Sequence, residues 1–151
     1  MPWFAKLMYR ALVWKERQRA AIASPAAPVR GRPVHLILGE RGETLAYWFL
    51  RQAGYIVVAR NRRERAGELD MIAWDGPVLA FIEVKTRTSQ AAGPPEAAVT
   101  RAQQKRIVHA AREHMRRMKR RPVAYRFDIV SVFWEGPSGL QVRLTKDAFK
   151  G

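Results

Sequence analysis

Two short β-prone runs bracket Asp75-Gly76-Pro77, and this pairing restricts the fold more than any other stretch of the chain. Leu69 to Trp74 and Val78 to Val84 are dominated by branched, aromatic and small apolar residues, and the Asp-Gly-Pro between them is a turn signal. A two-residue Gly76-Pro77 loop and a four-residue loop from Asp75 to Val78 set the same register. In it, Asp70 faces Glu83 and Glu68 faces Lys85. Side chains alternate with period two, so these four share one face at the open end of the hairpin. Leu69, Met71, Ala73, Ala80, Ile82 and Val84 make the other face apolar and fit for a core. A three-residue loop would slip the register by one and part Asp70 from Glu83.

Opposed carboxylates repel unless something positive lies between them. Two arrangements satisfy that requirement. One is a hard divalent cation, Mg²⁺ or Mn²⁺, which prefers oxygen ligands and keeps several waters. Such an ion polarises a phosphoryl oxygen and makes water a better nucleophile at neutral pH, while Lys85 orients that water or offsets charge on the phosphate. The other is a salt-bridge ladder on a wetted sheet face, Glu68 with Lys85 and Asp70 with an arginine. Spacing alone favours the ladder.

The chain has 151 residues, 48% of them hydrophobic, which suits one domain with a real core. Its formal charge of +15 points to polyphosphate backbones or anionic membrane surfaces as partners. It has no cysteine, which excludes disulfides, zinc–thiolate sites and thiol catalysis and fits a reducing cytoplasm. No run approaches the ~20 apolar residues of a spanning helix.

Residues 1–23 have the pattern of a basic amphipathic helix, with Phe4, Leu7, Met8, Ala11 and Leu12 on one face. Packing on the domain is the favoured reading. Contact with an anionic membrane surface and a resemblance to an organelle presequence rank below it. Ser24 to Pro33 reads as a linker, so residues 1–34 form an extension and residues 35–151 the folded domain. That domain opens on a helix from about Gly39 to Ala53, which Gly54 ends. Tyr55 to Ala59 is a first strand, followed by an arginine-bearing loop to Gly67 and then the hairpin. A long helix from about Glu96 to Arg120 follows, and Tyr125–Trp134 and Leu140–Leu144 are the last strands. The order α-β-β-β-α-β-β specifies an α/β sandwich with a mixed sheet.

Between Arg101 and Arg126 the chain carries ten Lys or Arg residues and one acid, Glu113. On a helix, Lys105, Arg112 and Arg116 fall off the Ile107/Ala111/Met115 stripe and form a cationic face. Arg62, Arg63 and Arg65 form a second basic region. With so few balancing acids, phosphate binding is the favoured reading, giving affinity and salt dependence without sequence specificity. His35, His109 and His114 have no metal-ligand spacing and read as surface residues. Asp128 reads as a structural partner of an arginine.

The ordered series Gly39-x-x-Gly42-Glu43-x-x-Ala46, Gly54-Tyr55, Asn61-x-Arg63, Gly67-Glu68-Leu69-Asp70 and Phe81-Ile82-Glu83-Val84-Lys85-x-Arg87 resembles the YraN family. Arg126-Phe127-Asp128 also fits, and the likeness runs from about His35 to Asp147. These bacterial proteins are expected to have the restriction-endonuclease-like PD-(D/E)xK fold, an αβββαβ core with a mixed central sheet flanked by helices. Leu69 stands where the motif name expects proline, and Gln103-Gln104 where family members often have Lys-Gln. The resemblance implies Asp70 and Glu83 as metal-binding carboxylates, the Val84 carbonyl as a further ligand, and Lys85 as the catalytic lysine. It implies Glu43 as an additional catalytic metal ligand, acting through water, and Glu68 as a support or a partner of Arg63. Arg87 and Gln104 join the expected nucleic-acid contacts. The implied activity is Mg²⁺- or Mn²⁺-dependent endonucleolytic hydrolysis of DNA, with branched or flapped intermediates as substrate. By analogy with junction-resolving enzymes of this fold, it implies a homodimer.

Overall fold

A computed structural model describes residues 2–22, 31–88, 93–135 and 139–151. Three helices, α1 (Pro2–Ile22), α2 (Val34–Gln52) and α3 (Arg101–Arg117), flank one five-stranded sheet. Its strands are β1 (Ile56–Glu64), β2 (Gly67–Asp75), β3 (Val78–Arg87), β4 (Ala124–Glu135) and β5 (Gly139–Phe149), side by side in chain order. Only β3 and β4 run parallel, because α3 carries the chain back between them. The expected linker lies outside the described residues as far as residue 30. So do residues 89–92 of the loop after β3 and residues 136–138 of the β4–β5 turn.

The sheet is buried on both faces. Leu45, Ala46 and Leu50 of α2 pack with Met71, Ala73, Ala80, Ile82, Val130 and Val132 on one side. Ile107, Val108, Ala110 and Ala111 of α3 pack with Ile72, Leu79, Phe81, Phe127 and Ile129 on the other. Each large side chain buried this way contributes roughly 1.5–3 kcal/mol. α1 covers α2: Tyr9 meets Phe49 edge-on at 5.6 Å, Phe4 meets Trp48 at 5.9 Å, and Tyr9, Leu12 and Val13 adjoin the first cluster. Its only acid, Glu16, is buried and bonded to Arg41 of α2 and to Arg19. The extension therefore packs, as its amphipathic pattern indicates, although Trp3, Leu7 and Trp14 stay exposed.

Several boundaries differ from the sequence reading. α2 starts at Val34, after Pro33, and ends at Gln52; Gly54 just beyond it, with a φ of +94°, closes the turn with a Tyr55 N–H to Leu50 C=O bond of 3.0 Å. The arginine-bearing loop is strand: β1 continues to Glu64, pairing Arg60 with Met71, Arg62 with Leu69 and Arg63 with Glu68. The long helix starts at Arg101 because Thr100 and Gln103 form a capping box; Glu96 belongs to a separate 3₁₀ turn, Pro95–Ala98. β5 runs on to Phe149.

Candidate metal centre

The hairpin register is the expected one. Met71 pairs with Ile82, Ala73 with Ala80 and Asp75 with Val78. The β2–β3 ladder ends at Met71–Ile82, one step short of Asp70 and Glu83. There Asp70 Oδ2 accepts the Val84 N–H at 2.8 Å, so a carboxylate replaces a backbone acceptor where the strands part. The divergence has two consequences that strict alternation did not foresee. Leu69 packs in the α3-side cluster, not beside Met71 and Ala73. Glu68 does not face Lys85: it lies 3.6 Å from Arg63 of β1, while Lys85 Nζ lies 3.4 Å from Glu83 Oε1.

Asp70, Glu83 and Lys85 are thus brought together. Burial pushes the Asp70 carboxyl up to about 7, and the charge of Glu83 and a hydrogen bond shared with it add to the rise. The Val84 N–H and Lys85 oppose it. Glu43, on α2, is also held above the usual carboxylate range, by burial and then by Asp70. Asn61 and Arg60 pull it back. Four acids, Glu43, Glu68, Asp70 and Glu83, therefore share one electrostatic neighbourhood, in which Lys85 pairs with Glu83 and Arg63 with Glu68.

Asn61 has no role in the sequence reading. It stands opposite Asp70, between the Arg60–Met71 and Arg62–Leu69 pairs, with a φ of +48°. Asparagine tolerates that left-handed backbone, and its carboxamide reaches Glu43. The Asn61-x-Arg63 motif was the available signal: an asparagine inside a basic run marks a local kink better than a loop. α2 comes close enough to place Glu43 because residue 42 is glycine, where a Cβ would overlap the Thr86 hydroxyl of β3.

The donor set suits a hard cation. Two carboxylates, one of them pushed up to about 7 by burial and by the other's charge, gain most from an added positive charge. Ser131 Oγ, beside Lys85 in the parallel ladder, is buried without a hydrogen-bond partner among the described residues. Among those residues no three His, Cys, Asp or Glu side chains gather around one point. In this arrangement Glu43 is an electrostatic neighbour of Asp70. A Mg²⁺-type site with one or two carboxylates and several waters is compatible with that count.

The other expected contacts differ in how far their charge is compensated. Arg62 pairs with Glu64 at 3.1 Å, the backbone N–H of Arg65 donates to Glu113 at 3.0 Å, and the Arg87 guanidinium donates to the Gly93 carbonyl at 3.2 Å. Gln104 donates to the Val99 carbonyl at 3.1 Å, a packing role. Lys105, Arg112 and Arg116 are exposed and have no acidic partner among the described residues. His114 is only partly exposed: it lies 3.5 Å from the Glu64 carboxylate and edge-on to Phe81. Glu64 and Glu113 also hold Arg117, tying the β1–β2 turn to α3. Asp128 is fully buried and bonded to Arg126 at 2.8 Å, as the sequence reading expects.

Comparison with known proteins gives the family. The model described as uncharacterised protein family UPF0102 matches residues 42–132. A UPF0102 protein of Symbiobacterium thermophilum is 47% identical over 113 residues, covering 74% of this chain and 95% of that protein. One of Koribacter versatilis is 43% identical over 124 residues, covering 81% and 85%. One of Solibacter usitatus is 52% identical over 96 residues, covering 62% and 73%. The matched span holds α2 from Gly42, the hairpin with Asp70, Glu83 and Lys85, and all of α3. The chain belongs to the UPF0102 family, the YraN-like proteins.

Proposed function

We propose that this protein is a divalent-metal-dependent endonuclease that hydrolyses phosphodiester bonds in DNA. The observation that carries the proposal is the convergence of Asp70, Glu83 and Lys85 where β2 and β3 part, with the Asp70 carboxyl driven up to about 7. Asp70, Glu83 and the Val84 carbonyl would hold Mg²⁺ or Mn²⁺, and Glu43 would act through water. A metal bound there supplies Lewis acidity toward a phosphoryl oxygen and a more acidic water. Lys85, kept beside Glu83, positions the attacking water and offsets charge gathering on the phosphate. The free cations of α3 hold the sugar–phosphate backbone. Flapped or branched repair and recombination intermediates are the proposed substrates.

The test is a cleavage screen of linear, single-stranded, flapped and four-way DNA with Mg²⁺ and Mn²⁺. Cleavage should appear on at least one substrate with one of the metals, and Glu83→Ala and Asp70→Ala should each abolish it. Cleavage that persists in both variants, or without metal, refutes the site. Salt-dependent binding with no hydrolysis under any metal would leave a nucleic-acid-binding protein built on a nuclease scaffold.

A further inference from the structure

We infer that a second cleft, at the far end of α3, binds one unpaired nucleotide of a DNA strand; this rests on the reading that the protein handles nucleic acid. The cleft has a volume of about 410 Å³ and is lined by Arg112, Met115, Arg116, Arg121, Pro122 and Tyr125. That volume lies within the range of small-ligand sites.

Three observations specify the ligand. First, the charge is uncompensated. Arg117, in the same turn of α3, is neutralised by Glu64 and Glu113, and Arg126 by Asp75 and Asp128. Arg112, Arg116 and Arg121 have no acidic partner among the described residues, yet all three line one cleft. Second, the cleft has an aromatic wall. Tyr125 is 42% exposed, and its ring is fixed edge-to-face against Phe127 at 6.0 Å and Phe81 at 6.5 Å. Its side chain is thus ordered before any ligand arrives, which spares the rotamer entropy that stacking would otherwise cost. Arginines for phosphate beside a fixed ring for a base are the two parts of a single-strand platform.

Third, the position fits a strand leading to the carboxylates. Tyr125 pairs with Leu79 in the parallel register; Leu79 and Phe81, between it and Glu83, are buried under α3, so the DNA strand follows the exposed face of that helix, where Lys105, Arg112 and Arg116 align at helical spacing. Four residue steps separate Leu79 from Glu83, a run of about 13 Å. A single strand spans that run in a few nucleotides. A base stacked on Tyr125 must be out of its duplex, so this cleft selects DNA with an unpaired segment next to the scissile bond.

The experiment measures binding without hydrolysis. Fluorescence anisotropy with a labelled ten-nucleotide oligo-dT and a ten-base-pair duplex is read in EDTA for the intact chain and its variants. Tyr125→Ala should weaken oligo-dT binding roughly tenfold and leave duplex binding unchanged, while Tyr125→Phe stays near wild type. Arg112→Ala, Arg116→Ala and Arg121→Ala should each lower the salt dependence of oligo-dT binding. Unchanged oligo-dT affinity in a folded Tyr125→Ala variant overturns the inference. So does an equal loss for duplex, or displacement of the oligonucleotide by inorganic phosphate alone at matched charge concentration. Because no metal is present, failure of catalysis leaves this result standing, and failure here leaves the catalytic reading standing.

Discussion

Asp70→Asn should stabilise the metal-free protein, and the gain should grow with pH. The folded Asp70 carboxyl is held at about 7 against an ordinary 3.8, by burial and then by Glu83. The native state therefore keeps a proton that the unfolded chain releases. Stability is fully present below the ordinary value and is lost as pH rises toward 7. At 1.36 kcal/mol per pH unit, the largest penalty is about 4 kcal/mol above pH 7. Sharing with Glu83 and the carboxamide's own burial reduce the recoverable part to about 2 kcal/mol. An asparagine oxygen still accepts the Val84 N–H. For a chain of this size the gain is about 4–8 °C in Tm. Thermal unfolding followed by circular dichroism in EDTA at pH 8 and pH 5 reads it: the full increase at pH 8 and roughly a third of it at pH 5, where the wild-type carboxyl is mostly protonated in the fold. Replacing EDTA with Mn²⁺ at pH 8 should raise the wild-type Tm and leave the variant nearly unmoved. An Asp70→Asn variant no more stable than wild type at pH 8, with no pH dependence to the difference, refutes the electrostatic argument.

Two further outcomes follow from packing and buried charge. Gly42→Ala should cost about 1–3 kcal/mol in chemical denaturation, because its methyl meets the Thr86 hydroxyl. Thr86→Ala in the same chain should restore most of that loss; additive losses would show that the close approach is not the cause. Arg126→Ala should destabilise by about 3–5 kcal/mol, because it leaves the wholly buried Asp128 without its cation. A loss below about 1 kcal/mol in urea unfolding would mean that the Tyr55 hydroxyl and the Asp147 N–H satisfy that carboxylate alone.

The hairpin was legible because its information is local. A turn signal and two alternating runs set the register, and the pairs from Met71–Ile82 to Asp75–Val78 follow it. The motif series identified the family, while periodicity and turn signals along the chain set the order of elements. What alternation could not supply was the point where the ladder stops. That depends on Asp70 taking the Val84 N–H, a contact that moves Leu69 to the other cluster and leaves Glu68 to Arg63. The arginine run looked like a loop because charge opposes burial, yet β1 is an edge strand in which most residues stay exposed. Its acids also come from far along the chain: Glu113 of α3 caps the Arg65 and Ala66 N–H groups. The start of α3 depended on one reciprocal side-chain pair, Thr100 with Gln103, inside a polar stretch that helical periodicity does not resolve.

Manganese binding tests the central assignment most directly. In an electron paramagnetic resonance titration at pH 8, the wild-type chain should remove Mn²⁺ from the free-ion signal saturably, Mg²⁺ should compete, and the paired substitution Asp70→Asn with Glu83→Gln should abolish uptake while the protein stays folded. Equal uptake by that folded double variant, or none by the wild-type chain, would contradict a metal centre at the parting of β2 and β3.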